Sequence, residues 1–151
     1  MLKQSRTLAT LLVTVASSAS ALPPWSTPGE AVAIQGYDPV AYFTKSEAAK
    51  GSSNFVHEWN GMTWFFSSGE HREKFAAEPE KYAPQFGGLC TPSVAGGKNA
   101  RGSGEAWLIQ NGKLYLSYDK AVRESLQRDL PGAVSKAEGW WPTVKARLEK
   151  Q

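Results

Sequence analysis

Residues 55–75, FVHEWNGMTWFFSSGEHREKF, carry the pattern that decides the fold. Asn60-Gly61 stands between two runs rich in aromatic and β-branched residues. That is the strongest short-range signal for a β-hairpin, because both central residues of the tight turn need positive φ. A two-residue turn fixes the register, with Trp59 opposite Met62, His57 opposite Trp64 and Phe55 opposite Phe66. Strand alternation then puts these six side chains on one face and Val56, Glu58, Thr63 and Phe65 on the other. The stretch SGEHREKFAAEP that follows predicts a helix. Ser67-x-x-Glu70 at its head has the form of a capping box, and His71 falls in the first turn, at the solvent side.

Residues 106–131 repeat the plan as AWLIQ, Asn111-Gly112, KLYLS and YDKAVRESLQRDLP. Trp107, Ile109, Leu114 and Leu116 form one wholly apolar face, and Leu108, Gln110, Lys113, Tyr115 and Ser117 take the other. The helix after each hairpin is the expected cover, through Phe75 in the first unit and Val122 and Leu126 in the second. Small length differences separate the copies, and the architecture does not require a duplication. The expected fold is α+β, with two β-hairpin-plus-helix units packed in one small domain and a C-terminal helix.

The flanking segments fill in the rest. In AVAIQGYDPVAYF (31–43), residues 33–35 read as a short strand and GYDPV as a turn, in which Asp38 bonds its own backbone. SEAAK (46–50) reads as a short helix opened by Ser46 and closed by Gly51. The stretch YAPQFGGLCTPSVAGGKNARGSGE (82–105) is long for a plain connector, and such loops are often functional. GWWPTVKARLEKQ (139–151) predicts a last helix started by Pro142.

At the other end, Lys3 and Arg6, the apolar run LATLLVTVA (8–16) and ASA at 19–21 read as a secretory signal peptide over residues 1–21. Its apolar run is too short to span a bilayer of ~30 Å. LPPWSTPGE (22–30) reads as a flexible arm and 31–151 as the single domain. The expected location is therefore periplasmic or secreted. Removing the leader takes two of the 17 basic residues and none of the 14 acidic ones, leaving 15 against 14. No basic stripe survives to neutralise phosphates, which argues against a nucleic-acid partner. With Cys90 as the sole cysteine, no internal disulfide can form and the core must hold the fold unaided.

The segments GYDPVAYF, NGMTWFFSS, EHREKFAAEPEKYAPQFGG and Cys90 just beyond them resemble the YHS domain family. EAWLIQNGKLYLSYDKAV and WWP extend the likeness to an exported subgroup whose label reads YHS domain-containing (seleno)protein, over roughly residues 31–142. Metal-associated YHS domains resemble a pattern DPVCGM … YYFCSxxCxxxF. Here Ala41, Ser67 and His71 stand at its three thiol positions. The resemblance thus implies a YHS-like fold that has lost the family's thiolate site, since a serine hydroxyl is a poor ligand for soft metals.

Any metal site has to be built from other donors. His57, on the aromatic face near Met62, offers imidazole plus thioether, a pair that suits copper. His71 and Cys90 complete a candidate metal set of His57, Met62, His71 and Cys90 for copper or zinc. Cys90 in GGLCTP also supports a thiol-redox reading, which needs a lowered thiol pKa, against the plainer one of a small buried residue. No G-x-S-x-G elbow, phosphate loop or dinucleotide fingerprint is present. A Ser/His/Asp set can be assembled from Ser67, His71 and Asp38, but no motif ties these common residues together. The favoured expectation is an exported, non-catalytic binding module handling a transition metal or small ligand. The alternatives are a redox protein centred on Cys90, and an interaction module with an aromatic surface.

Overall fold

The computed structural model describes residues 31–151, so the leader and arm of residues 1–30 lie outside the described residues. The fold is α+β, with two antiparallel hairpins each followed by helices and a long helix at the C-terminus. Strands β1 (Ser52–Trp59) and β2 (Met62–Phe66) form the first hairpin, and β3 (Ser103–Gln110) and β4 (Lys113–Ser117) the second. Helices α1 (Ala41–Thr44), α2 (Gly69–Ala77) and α3 (Pro79–Tyr82) belong to the first half; α4 (Thr91–Ala95), α5 (Lys120–Arg128) and α6 (Leu130–Leu148) belong to the second. Among the described residues no helix is long and apolar enough to cross a membrane.

The two hairpin-plus-helix units match residue for residue. β1 and β3 start at 52 and 103, β2 and β4 at 62 and 113, and α2 and α5 at 69 and 120, a constant offset of 51. The likeness reaches back before the hairpins, with one residue added between the turn and the outer strand of the first half. A tight 3-10 turn, Ala33–Gly36 in one half and Gln85–Gly88 in the other, puts consecutive residues in left-handed conformation: Ile34 and Gln35 at φ 50°, Phe86 at 51° and Gly87 at 63°. The expected strand at 33–35 is therefore a turn. Tertiary bonds override its strand propensity: Gln35 Nε2 donates to the Gly102 carbonyl at 3.3 Å, and Gln35 Oε1 accepts from the Gly104 amide at 3.1 Å.

Both Asn-Gly reversals form as read, with Asn60 and Asn111 each at φ 52°. Trp59 pairs with Met62 and His57 with Trp64, but Ser52 faces Phe66 in place of Phe55. Each ladder slips at the same place, between Ser52 and Val56 and between Ser103 and Trp107. The slip adds residues to the outer strand and bends it. At the entry to each outer strand a Cβ would strike backbone, at Gly51 that of Phe65 and Phe66, at Gly102 the Gly88 carbonyl.

The covers differ from the expected ones. Phe75 of α2 does close the first hairpin, stacking on Trp64 at 4.8 Å and Phe66 at 5.2 Å between ring centroids. In the second hairpin, Leu126 of α5 joins the core cluster of Tyr115 and Leu108, the mixed face. The wholly apolar face of Leu114, Leu116, Trp107 and Ile109 packs into the cluster built by the first half, with Tyr42 5.1 Å from Trp107. The second hairpin is thus covered on both faces, while Val56 of the first remains 40% exposed. The Tyr42 hydroxyl donates to the Gly104 carbonyl at 2.7 Å across this boundary.

Two helix readings are corrected. No helix forms at 46–50, where Ser46 sits at φ 52°; the short helix comes earlier, at α1, where Asp38 receives its first amides. The last helix begins at Leu130, capped by Asp129 with Pro131 in its first turn, and runs through Pro142. A proline at the start is tolerated because its missing N–H lies among the orphan donors. Burial of Ala137, Val144 and Leu148 supports the helix on both sides of the interior proline.

Candidate functional site

Asp38 is fully buried, at 0% exposure, and lies at the junction of α1, β2 and α2. Its Oδ1 accepts from the amides of Val40 at 2.9 Å and Ala41 at 3.3 Å. Its Oδ2 accepts from the Ser67 amide at 2.9 Å, the Ser67 hydroxyl at 2.6 Å and His71 Nδ1 at 2.6 Å. A buried carboxylate is costly unless paired and hydrogen-bonded; here five donors surround it. Burial pushes the Asp38 pKa up, but the hydrogen bonds from the Ser67 hydroxyl and amide, together with His71, outweigh it and hold the carboxyl below its usual value. The turn reading of Asp38 was right and incomplete: the same side chain also ties the start of α2 to the first turn.

An ionised carboxylate only accepts, so the proton between the two groups sits on His71 Nδ1. His71 Nε2 lies 3.1 Å from Thr44 Oγ1, which also reaches the Val40 carbonyl at 3.2 Å. The helix cap lies one residue later than read, and Glu70 pairs with Lys74 at 3.1 Å. Ser68, not Ser67, is the cap of α2, accepting from the His71 amide at 3.2 Å, while Ser67 turns inward to Asp38. His71 is accordingly buried, at 6% exposure, and does not lie at the solvent side of the helix.

Ser67, His71 and Asp38 do converge, but not as a nucleophile relay. In such a relay the hydroxyl bonds the histidine nitrogen remote from the carboxylate. Here Ser67 and His71 Nδ1 share one carboxylate oxygen, and their direct approach is 3.4 Å. The arrangement locks a polar junction on the Nδ1 side, while the nitrogen remote from the carboxylate, His71 Nε2, faces the Thr44 hydroxyl at 3.1 Å.

The four proposed metal donors sit in different surroundings. His57 is half-buried with its ring edge-on to Phe75 at 6.0 Å. Met62 is 2% exposed within the aromatic core. His71 is held by Asp38. Cys90 is 1% exposed at the head of α4, its amide bonded to the Ala100 carbonyl and its backbone bridged to Leu116. Among the described residues, no three His, Cys, Asp or Glu side chains gather into a group able to hold a metal ion. Among the described residues, Thr91 Oγ1 and Ser117 Oγ, both fully buried in the second half, have no hydrogen-bond partner.

The network left little trace in the sequence. Asp38 is 29 residues from Ser67 and 33 from His71, so no local period links them. The usable signal was an Asp-Pro turn before an apolar run together with a serine pair at a helix start.

A second feature lies between the halves. The two left-handed turns flank a narrow cleft with walls of Ile34, Trp64, Leu89 and Leu116 and backbone from Gly88 and Gly102. It encloses about 20 Å³, room for one water-sized group. Comparison of the chain with protein-family models, curated proteins and solved structures finds no match.

Proposed function

We propose that the chain is an exported, non-catalytic binding module of the YHS type, and that its ligand meets it at the cleft between the halves. The observation that carries this reading is the commitment of its reactive groups. Asp38 is filled by five donors, both His71 nitrogens face protein partners, and Cys90 is buried. A general base has to reach a substrate proton, and a reactive thiol has to be accessible. Neither condition suits these side chains.

The YHS resemblance gains support from where its lost thiol positions fall. Ala41, Ser67 and His71 all meet at Asp38, two through donors on Oδ2 and one through its amide on Oδ1. A hydrogen-bonded junction occupies the place the resemblance assigns to a thiolate cage. Copper or zinc held by His57, Met62, His71 and Cys90 is the weaker, rival reading, because Met62, His71 and Cys90 are buried in other contacts.

A fragment screen by NMR on the ¹⁵N-labelled chain from residue 22 tests the reading. Shift changes should converge on Ile34, Gly88 and Gly102 whichever fragment binds. Convergence on His71 or Cys90, or stoichiometric copper or zinc uptake weakened by Cys90→Ser, would contradict it.

A further inference from the structure

His71 turns its two nitrogens to different sides of the junction. The ionised Asp38 carboxylate only accepts, so Nδ1 carries the proton, 2.6 Å from Asp38 Oδ2, and the neutral ring keeps its lone pair on Nε2. That lone pair faces Thr44 Oγ1 at 3.1 Å. Carboxylate, imidazole and hydroxyl thus stand in the order of a nucleophile relay, the hydroxyl on the nitrogen remote from the carboxylate. The imidazole is buried, whereas Thr44 is exposed at the end of α1. The second half keeps none of the three: Cys90 stands for Asp38, Val122 for His71, and Ala95 and Gly96 end its helix. The shared backbone plan does not require the set.

Thr44 Oγ1 also lies 3.2 Å from the Val40 carbonyl. Its one proton therefore has two acceptors, and rotation about the C–O bond brings it onto the base. Just beyond, Lys45 is helical (φ −120°, ψ −7°) and Ser46 is left-handed (φ 52°). Such a right-then-left pair turns consecutive amides to one side, and the Ser46 and Glu47 amides make no hydrogen bond among the described residues. Free amides favour an oxygen that gains negative charge in the transition state, as a carbonyl oxygen does under attack. An acyl donor whose leaving group departs as a stable anion asks least of the site. We infer that Thr44 is an acyl-acceptor site, modified stoichiometrically by thioesters with His71 as its base. His71 Nε2 takes the hydroxyl proton, Oγ1 bonds to the acyl carbon, the C–S bond breaks, and the thiolate leaves with that proton. Nothing is oxidised or reduced. This goes beyond the binding-module reading and does not rest on it, since His71 here reaches the proton of a neighbouring hydroxyl and not that of a substrate.

The test incubates the folded chain with S-acetyl-N-acetylcysteamine and locates acetyl groups by peptide mass spectrometry. Alkaline hydroxylamine strips oxygen esters and leaves lysine amides, which separates the two adducts. Ser46 is the internal reference, an exposed hydroxyl in the same peptide that makes no side-chain hydrogen bond among the described residues. Thr44 should be acetylated about a hundredfold faster than Ser46. His71→Asn keeps an N–H for Asp38 but loses the base, and should slow Thr44 labelling by about the same factor. Thr44→Ser should still be labelled at this position and Thr44→Val should not, with both variants folded by circular dichroism. Labelling of Thr44 no faster than of Ser46, or at the parent's rate in a folded His71→Asn variant, overturns the inference. If His71→Asn does not fold, the ratio of Thr44 to Ser46 in the parent decides.

Discussion

In the first half Asp38 follows the left-handed turn, and Ser67 and His71 come round from β2 and α2 to bond it. In the second half the same places hold Cys90, Tyr118 and Val122. The backbones agree closely, for Asp38 and Cys90 donate equivalent amides, to the Ala49 and Ala100 carbonyls. One backbone plan is closed once by a buried carboxylate and once by apolar packing under a 19-residue helix, α6, where the first half has only the four residues of α3. A carboxylate with five donors fixes the junction of three short elements that bury little surface of their own. Where a long helix buries Leu130, Ala137, Val144 and Leu148, a small apolar side chain at the junction suffices.

The sharpest way to break this comparison is to truncate the equivalent side chain in both halves. Asp38→Ala strands His71 and three amides and should cost about 3–5 kcal/mol, read by urea denaturation. Cys90→Ala removes one buried sulfur and should cost on the order of 1 kcal/mol. Equal costs would mean the two junctions are closed alike.

Acid should discriminate in the same direction. The Asp38 carboxyl is held below its ordinary pKa, so its contribution is present above about pH 3.9 and lost as pH falls from there through the depressed folded value. Stability measured against pH should show that slope in the parent and lose it in Asp38→Ala.

Smaller effects separate the two serines. Ser67→Ala removes a donor from a buried carboxylate and should cost about 1–3 kcal/mol. Ser68→Ala removes only the helix cap, about 1 kcal/mol. A larger loss at Ser68 would restore the ordinary helix-start reading of this junction. The smallest signal comes from Cys90, whose alkylation in the native chain should be limited by unfolding and accelerate in proportion to denaturant-induced opening. Rapid alkylation without denaturant would return Cys90 to consideration as a working thiol.

Much of this architecture was legible because the Asn-Gly turns impose register locally. Trp59–Met62 and His57–Trp64 pair as read, and Phe75 closes its hairpin. What escaped depends on contacts distant in sequence. Phe55 loses its partner because Gly51 must pass over the Phe65 backbone, and Ile34 adopts a left-handed turn because Gln35 is tied to Gly102 and Gly104. Ser67 reads as a cap from spacing alone; only Asp38, brought in from the preceding turn, draws it away. The long helix was placed late because Pro142 looked like a start, although Asp129 and Pro131 carry the same signal earlier.

A double-mutant cycle on Asp38→Ala and His71→Ala, followed by urea denaturation, tests most directly whether the buried pair is a structural latch. A coupling of about 1–3 kcal/mol is predicted, so that the double variant loses less than the sum of the two single losses. Additive losses within about 0.5 kcal/mol would show two independent side chains and contradict the account.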